Sequence, residues 1–124
     1  MVERVDPKSV EYKAINPLGM VPALDIGLEK PITQAGTILV YIAEIYSGKR
    51  LGPAPGALSQ LKFNEIMSFL TGDFHPAFGP VFVPQRYAIL NAKNSVNKIK
   101  LAAYERIDRV LEHLDILIGN DDFL

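Results

Sequence analysis

Cysteine is absent from the chain, which excludes disulfides and thiolate metal sites within it and leaves a reducing compartment compatible. Long apolar runs are absent too: none reaches the length of a membrane span, and the first residues have no signal-peptide core. Nor does either sign of charge prevail. With 13 Lys and Arg against 14 Asp and Glu the formal charge is −1, so nothing electrostatic points to nucleic acid or an anionic membrane as a partner. No internal repeat, low-complexity run, P-loop, Rossmann glycine signature or metal-ligand spacing occurs. What is present is a 124-residue chain, 48% apolar, which is enough for a real core. The expectation is a soluble cytoplasmic protein without a metal.

Two adjoining stretches organise the chain. In Asn16-Pro-Leu-Gly-Met-Val-Pro-Ala-Leu-Asp25, Pro17, Gly19 and Pro22 punctuate the approach to a short apolar run, and Gly27 lies in the turn that leaves it. This reads as loop, turn and strand. In Pro31-Ile-Thr-Gln-Ala-Gly-Thr-Ile-Leu-Val-Tyr-Ile-Ala-Glu44, Thr33 is a candidate N-cap for a helix beginning at Gln34, with Ile38, Ile42 and Ile45 as its buried stripe. Ahead of both, residues 9–15 look like the last turns of a helix. Taken singly, such features are ordinary turn and cap chemistry.

Taken together they resemble the second half of the thioredoxin-like domain of cytosolic glutathione transferases. The family pattern Asn-Pro-x-Gly-x-Val-Pro-x-Leu is matched by Asn16, Pro17, Gly19, Val21, Pro22 and Leu24. The following Thr-[Glu/Gln]-Ser-x-x-Ile-x-x-Tyr-[Leu/Ile]-Ala is matched by Thr33, Gln34, Ile38, Tyr41, Ile42 and Ala43, with Ala35 in place of the usual Ser. The resemblance implies a cis Val21–Pro22 peptide bond, for which the Xaa-Pro trans preference is only about 0.5–1 kcal/mol. The backbone of Val21 is then turned outward to pair with glutathione, laid alongside like an extra strand. Glutathione is the implied co-substrate. Its γ-glutamyl carboxylate is expected at the N-terminus of the following helix, against the Gln34 side chain and the Ala35 N–H.

A second cluster is Thr71-Gly-Asp-Phe-His-Pro-Ala-Phe-Gly-Pro-Val-Phe-Val-Pro84. Pro76 removes a backbone donor and crowds the preceding turn, so the helix is expected to kink or loosen near His75. The segment is similar to Glu-Leu-His-x-x-Phe-x-Pro-Leu-Phe-x-Pro of bacterial beta-class transferases. His75, Phe78, Pro80, Phe82 and Pro84 match, and Asp73 stands where Glu is common. The resemblance places His75 near the glutathione sulfur, where a donor favours thiolate. It brings Asp73 to the glutathione amino group, across a homodimer interface, and Phe74, Phe78 and Phe82 to the pocket of an apolar electrophile. The plain alternative keeps His75 as a surface or core histidine and the phenylalanines as packing.

Between the clusters, Ser47-Gly-Lys-Arg-Leu-Gly-Pro-Ala-Pro-Gly56 reads as a linker. A helix from Ala57 follows, with Leu58, Leu61, Ile66, Phe69 and Leu70 at helical spacing. The polar segment 91–97 is open between a loop and a frayed helix start. From Ile99 the helical period is clean, with Ile99, Ala103, Ile107, Val110, Leu114 and Leu117 on one face and Gly119-Asn120 as the stop. His113 reads as a solvated side chain.

The expected architecture is α/β plus all-α. An incomplete thioredoxin-like domain of two strands and a helix (residues 1–47) is joined by the linker 48–56 to an incomplete helical domain (57–124). Against the family, the first strand with its thiol-activating Tyr, Ser or Cys and the last helices are expected to be missing, and neither Tyr12 nor Ser9 is assigned the activating role. Two functions follow from the resemblance: a glutathione transferase conjugating the thiolate to an electrophile, or a non-catalytic glutathione-binding or scaffolding module, including an inactive fragment of a transferase.

Overall fold

The computed structural model describes residues 6–88 and 93–120. The first five residues, the 89–92 stretch that includes Asn91, and the last four residues lie outside these. The chain divides into two compact units, Met1–Gln60 and Leu61–Leu124. Among the described residues no helix is long and apolar enough to cross a membrane.

The first unit opens with α1, Val10–Ile15, capped by Ser9, whose Oγ accepts the Tyr12 N–H at 3.0 Å. After the Asn16–Pro22 turn come β1, Ala23–Leu24, and β2, Ile32–Thr33. They pair antiparallel with Ala23 opposite Thr33 and Leu24 opposite Ile32. The loop between them starts with an Asx turn: Asp25 Oδ1 accepts the Gly27 N–H at 2.9 Å, and Gly27 adopts φ 79°, where a side chain would be strained. Helix α2, Ala35–Ile45, follows directly.

Two expectations need correction here. Thr33 does not cap α2, because it is held in the ladder opposite Ala23; the cap position falls to Gln34, which makes no side-chain capping bond. Ile45 is not part of the buried stripe, being 53% exposed at the last residue of the helix. Ile38 and Ala43 are the buried positions, with Ile42 half-buried. A Cβ at Gly52 would lie 3.4 Å from the Ala43 Cβ, so the segment after the Ser47–Lys49 3₁₀ turn returns against this face of α2.

Helix α3, Ala57–Phe69, leads into the second unit, where a π-helical turn, Leu70–Phe74, is followed by α4, His75–Ala77, α5, Gly79–Phe82, a 3₁₀ turn, Pro84–Arg86, and the long α6, Lys93–Ile118. Ala77, Ile107 and Val110 form the buried centre, and Phe69, Phe74, Phe78 and Val81 pack on it. The α6 face expected from the period is the face that is covered: Ala103, Ile107 and Val110 are buried, and Ile99, Leu114 and Leu117 half-buried. The described part of the 91–97 segment belongs to α6. Gly119, at φ 60°, ends that helix with its N–H on the Asp115 carbonyl at 2.9 Å.

The loosening foreseen near Pro76 takes the form of the π-helical turn. Pro76 has no N–H to return to the carbonyl four residues back, and its ring would crowd that carbonyl in a regular helix. The wide turn relieves both, with the His75 N–H reaching back five residues to the Leu70 carbonyl. Thr71 Oγ1 donates to the Met67 carbonyl at 2.7 Å, occupying an acceptor on the α3 side of the wide turn.

A pinned peptide before the helix and a wide turn before His75

The first candidate site is built around Met20 to Ala35. Tyr12, 4% exposed, and Asn16, 5% exposed, face the turn from α1 and its end. The Tyr12 hydroxyl donates to the Met20 carbonyl at 2.8 Å and Asn16 Nδ2 donates to the same oxygen at 2.7 Å. Asn16 Oδ1 in turn accepts the Leu18 N–H at 3.2 Å, which settles the orientation of the carboxamide. The sequence marked Asn16 as a turn residue and as part of the family pattern, and gave Tyr12 no role. A buried Asn must find partners, and that rule was the available signal.

Gly19 turns this corner at φ 61°, and a Cβ on it would come 2.8 Å from the Pro7 carbonyl oxygen. Both backbone conformation and space therefore require glycine. Val21 emerges 62% exposed, and the Val21–Pro22 bond is cis, as expected.

The ladder ends at Ala23 opposite Thr33, so Pro22 on one side and Gln34 on the other are the residues that leave it. Gln34 is exposed and has φ 75°, ψ 109°, a conformation rare outside glycine and worth of order 1–3 kcal/mol of strain. Its carbonyl accepts the Ile38 N–H at 3.1 Å, so the N–H groups of Ala35, Gly36 and Thr37 precede the first intrahelical bond of α2 and point from its positive end. Exposed Val21, strained Gln34 and an uncapped helix end make an edge suited to an extended peptide terminating in a carboxylate.

The second candidate site lies in the helical unit. Asp73, at the end of the wide turn, and His75, at the start of α4, are both exposed. Phe69 and Phe74 meet at 6.0 Å between ring centroids, Phe74 and Phe78 at 5.3 Å, and Phe78 and Phe82 at 6.2 Å in a stacked arrangement. Along this ladder Phe74 and Phe78 are half-buried on the core, whereas Phe82 is 75% exposed. Gly79 leaves room for Tyr87, whose hydroxyl oxygen lies 2.5 Å from where a Cβ would stand. His113, read from sequence as solvated, is exposed but sets its ring edgewise on Phe69 at 4.7 Å.

Residues 2–44 match the family model for the glutathione S-transferase N-terminal domain. The chain is 31% identical to glutathione S-transferase GST-4.5 of Xanthomonas campestris pv. campestris over 97% of its own length and 61% of that protein's. Among solved structures it is similar to a bacterial beta-class glutathione S-transferase of Sphingomonas chungbukensis, with 30% identity, a TM-score of 0.68, and coverage of 88% of this chain and 50% of that one. A sphingomonad glutathione S-transferase in complex with glutathione gives 30% identity and a TM-score of 0.70 over 90% of this chain and 54% of that one. The chain thus spans between half and two thirds of the length of these relatives.

Proposed function

Because residues 2–44 match the family model for a glutathione S-transferase N-terminal domain and the chain resembles beta-class members along most of its length, we propose that it binds glutathione and serves conjugation of the tripeptide thiolate to an apolar electrophile. The observation that supports this reading is the cis bond that follows exposed Val21 just ahead of a strand whose partner runs through strained Gln34 into α2. In this proposal the Val21 N–H and C=O pair with the peptide backbone of glutathione. The γ-glutamyl carboxylate meets the Ala35 N–H and the Gln34 side chain, where the helix end adds a partial positive charge.

The roles of the second cluster rest on the resemblance. His75 donates a hydrogen bond to the sulfur, which favours the thiolate. Asp73 accepts from the glutathione amino group, and Phe82, the most exposed ring of the ladder, offers apolar surface to the electrophile beside the edges of Phe74 and Phe78. In the reaction the sulfur gives up its proton to solvent, attacks the electrophilic carbon, and the new C–S bond forms as the carbon's leaving group departs with its electron pair. The proposal further holds that the protein works as a cytoplasmic homodimer.

Two measurements test it. The Gln34→Ala variant should weaken glutathione binding by about 0.5–1.5 kcal/mol, the net value of one hydrogen bond; an unchanged dissociation constant would remove Gln34 from the site. Conjugation of a chromogenic electrophile should fall on His75→Ala with glutathione affinity largely kept. A second reading, a module that retains glutathione without turnover, draws on the Tyr12 hydroxyl, whose proton is committed to the Met20 carbonyl. Retention on immobilised glutathione with no conjugation would favour it.

A further inference from the structure

We propose that Tyr12 and Asn16 are positioning residues for glutathione: together they fix the direction of the Val21 N–H. This rests on the reading of Val21 as the peptide-docking residue. The Met20 carbonyl and the Val21 N–H belong to one planar peptide unit, and in a trans unit they point in opposite directions. Among the described residues the only cis bond is Val21–Pro22, so the Met20–Val21 unit is trans.

Two donors converge on the Met20 oxygen, at 2.8 Å from Tyr12 and 2.7 Å from Asn16, and fill its two acceptor positions. Both donors are buried, and both belong to α1 or its terminus. With the carbonyl held toward α1, the Val21 N–H points the opposite way, and Val21 itself is 62% exposed. A turn lacking the clamp would sample other orientations of this peptide plane, and the apparent affinity would fall in proportion to the fraction of molecules with the amide outward.

Tyr12→Phe is the sharp variant because it keeps the buried ring and removes only the hydroxyl. In calorimetry on the 124-residue chain, well below its unfolding temperature, the dissociation constant for glutathione is expected to rise about two- to twelvefold, the range spanned by one net hydrogen bond. The Val21 amide order parameter should fall in parallel. Equal affinity of variant and parent, even with a lowered melting temperature, would overturn the proposal and leave Tyr12 a stabilising residue alone. The parent chain supplies an independent check that needs no variant to fold: a Val21 amide already mobile on the nanosecond scale, with an order parameter below about 0.6, would also overturn it. Absence of any binding by the parent would remove the glutathione reading beneath it, an outcome distinct from equal binding by both.

Discussion

Replacing Asn16 by aspartate is expected to destabilise the N-terminal unit by about 3 kcal/mol or more at neutral pH, although the two side chains have nearly the same shape. Asn16 is 5% exposed and its Nδ2 donates to the Met20 carbonyl at 2.7 Å. A carboxylate there would set a charged oxygen against a carbonyl oxygen with no donor between them, and a buried charge without a partner costs more than the 1–3 kcal/mol of an unsatisfied neutral group. The other oxygen would keep the Leu18 N–H, so the loss is confined to one contact. The sign of the pH dependence follows. Burial and the facing carbonyl raise the folded-state pKa of the new carboxyl above its unfolded value. The penalty is therefore full above the folded pKa and eases as pH falls through it, since a protonated carboxyl can donate to the Met20 oxygen. Urea unfolding of Asn16→Asp and parent across pH should show the gap narrowing toward the carboxylate range; equal stability at neutral pH would show that the Met20 contact holds nothing.

The second large effect belongs to the helical unit. Ile107→Ala should cost about 2–4 kcal/mol, because Ile107 is 8% exposed and shares the buried centre with Ala77 and Val110 under Phe69, Phe74, Phe78 and Val81. Leu111, one turn on and 44% exposed, provides the contrast: its alanine variant should stay within about 0.5 kcal/mol. Both can be followed by the ring resonances of the phenylalanines, which report this unit alone. A loss at Ile107 no greater than that at Leu111 would mean that the centre is loosely packed.

How far these features can be read from residues alone depends on whether the cause is local. The α6 face was legible because a period of 3.6 kept from Ile99 to Leu117 admits one buried stripe, and Gly119 marked its end. Pro76 announced a disturbed helix because a missing N–H is a local fact. Its resolution as a wide turn was not legible, since that depends on where the neighbouring rings find contact. Thr33 illustrates the opposite failure. As a good capping residue it was given the helix start, yet its pairing with Ala23 keeps it in the strand, and Gln34 turns the corner in a conformation that no propensity favours. Ile45 failed similarly: its spacing from Ile38 is correct, but it stands at the last residue of α2. Tyr12 was recognisable only as a helix residue, and Asn16 as a turn residue in the family pattern. Their convergence on one carbonyl, eight and four residues further on, is set by the path of the intervening turn.

The wide turn before His75 acts as a phase shifter. In an α-helix each residue advances the side-chain direction by about 100°, and rings five apart diverge, yet Phe69 and Phe74 meet while Phe74, Phe78 and Phe82 follow at intervals of four. Five-residue spacing becomes contact spacing only where a turn holds an extra residue, so the ladder is continuous through the break that Pro76 introduces. Shortening Leu70–Phe74 by one residue would swing everything from His75 onward around the axis, and the histidine would face another side while every contact beyond it had to be rebuilt.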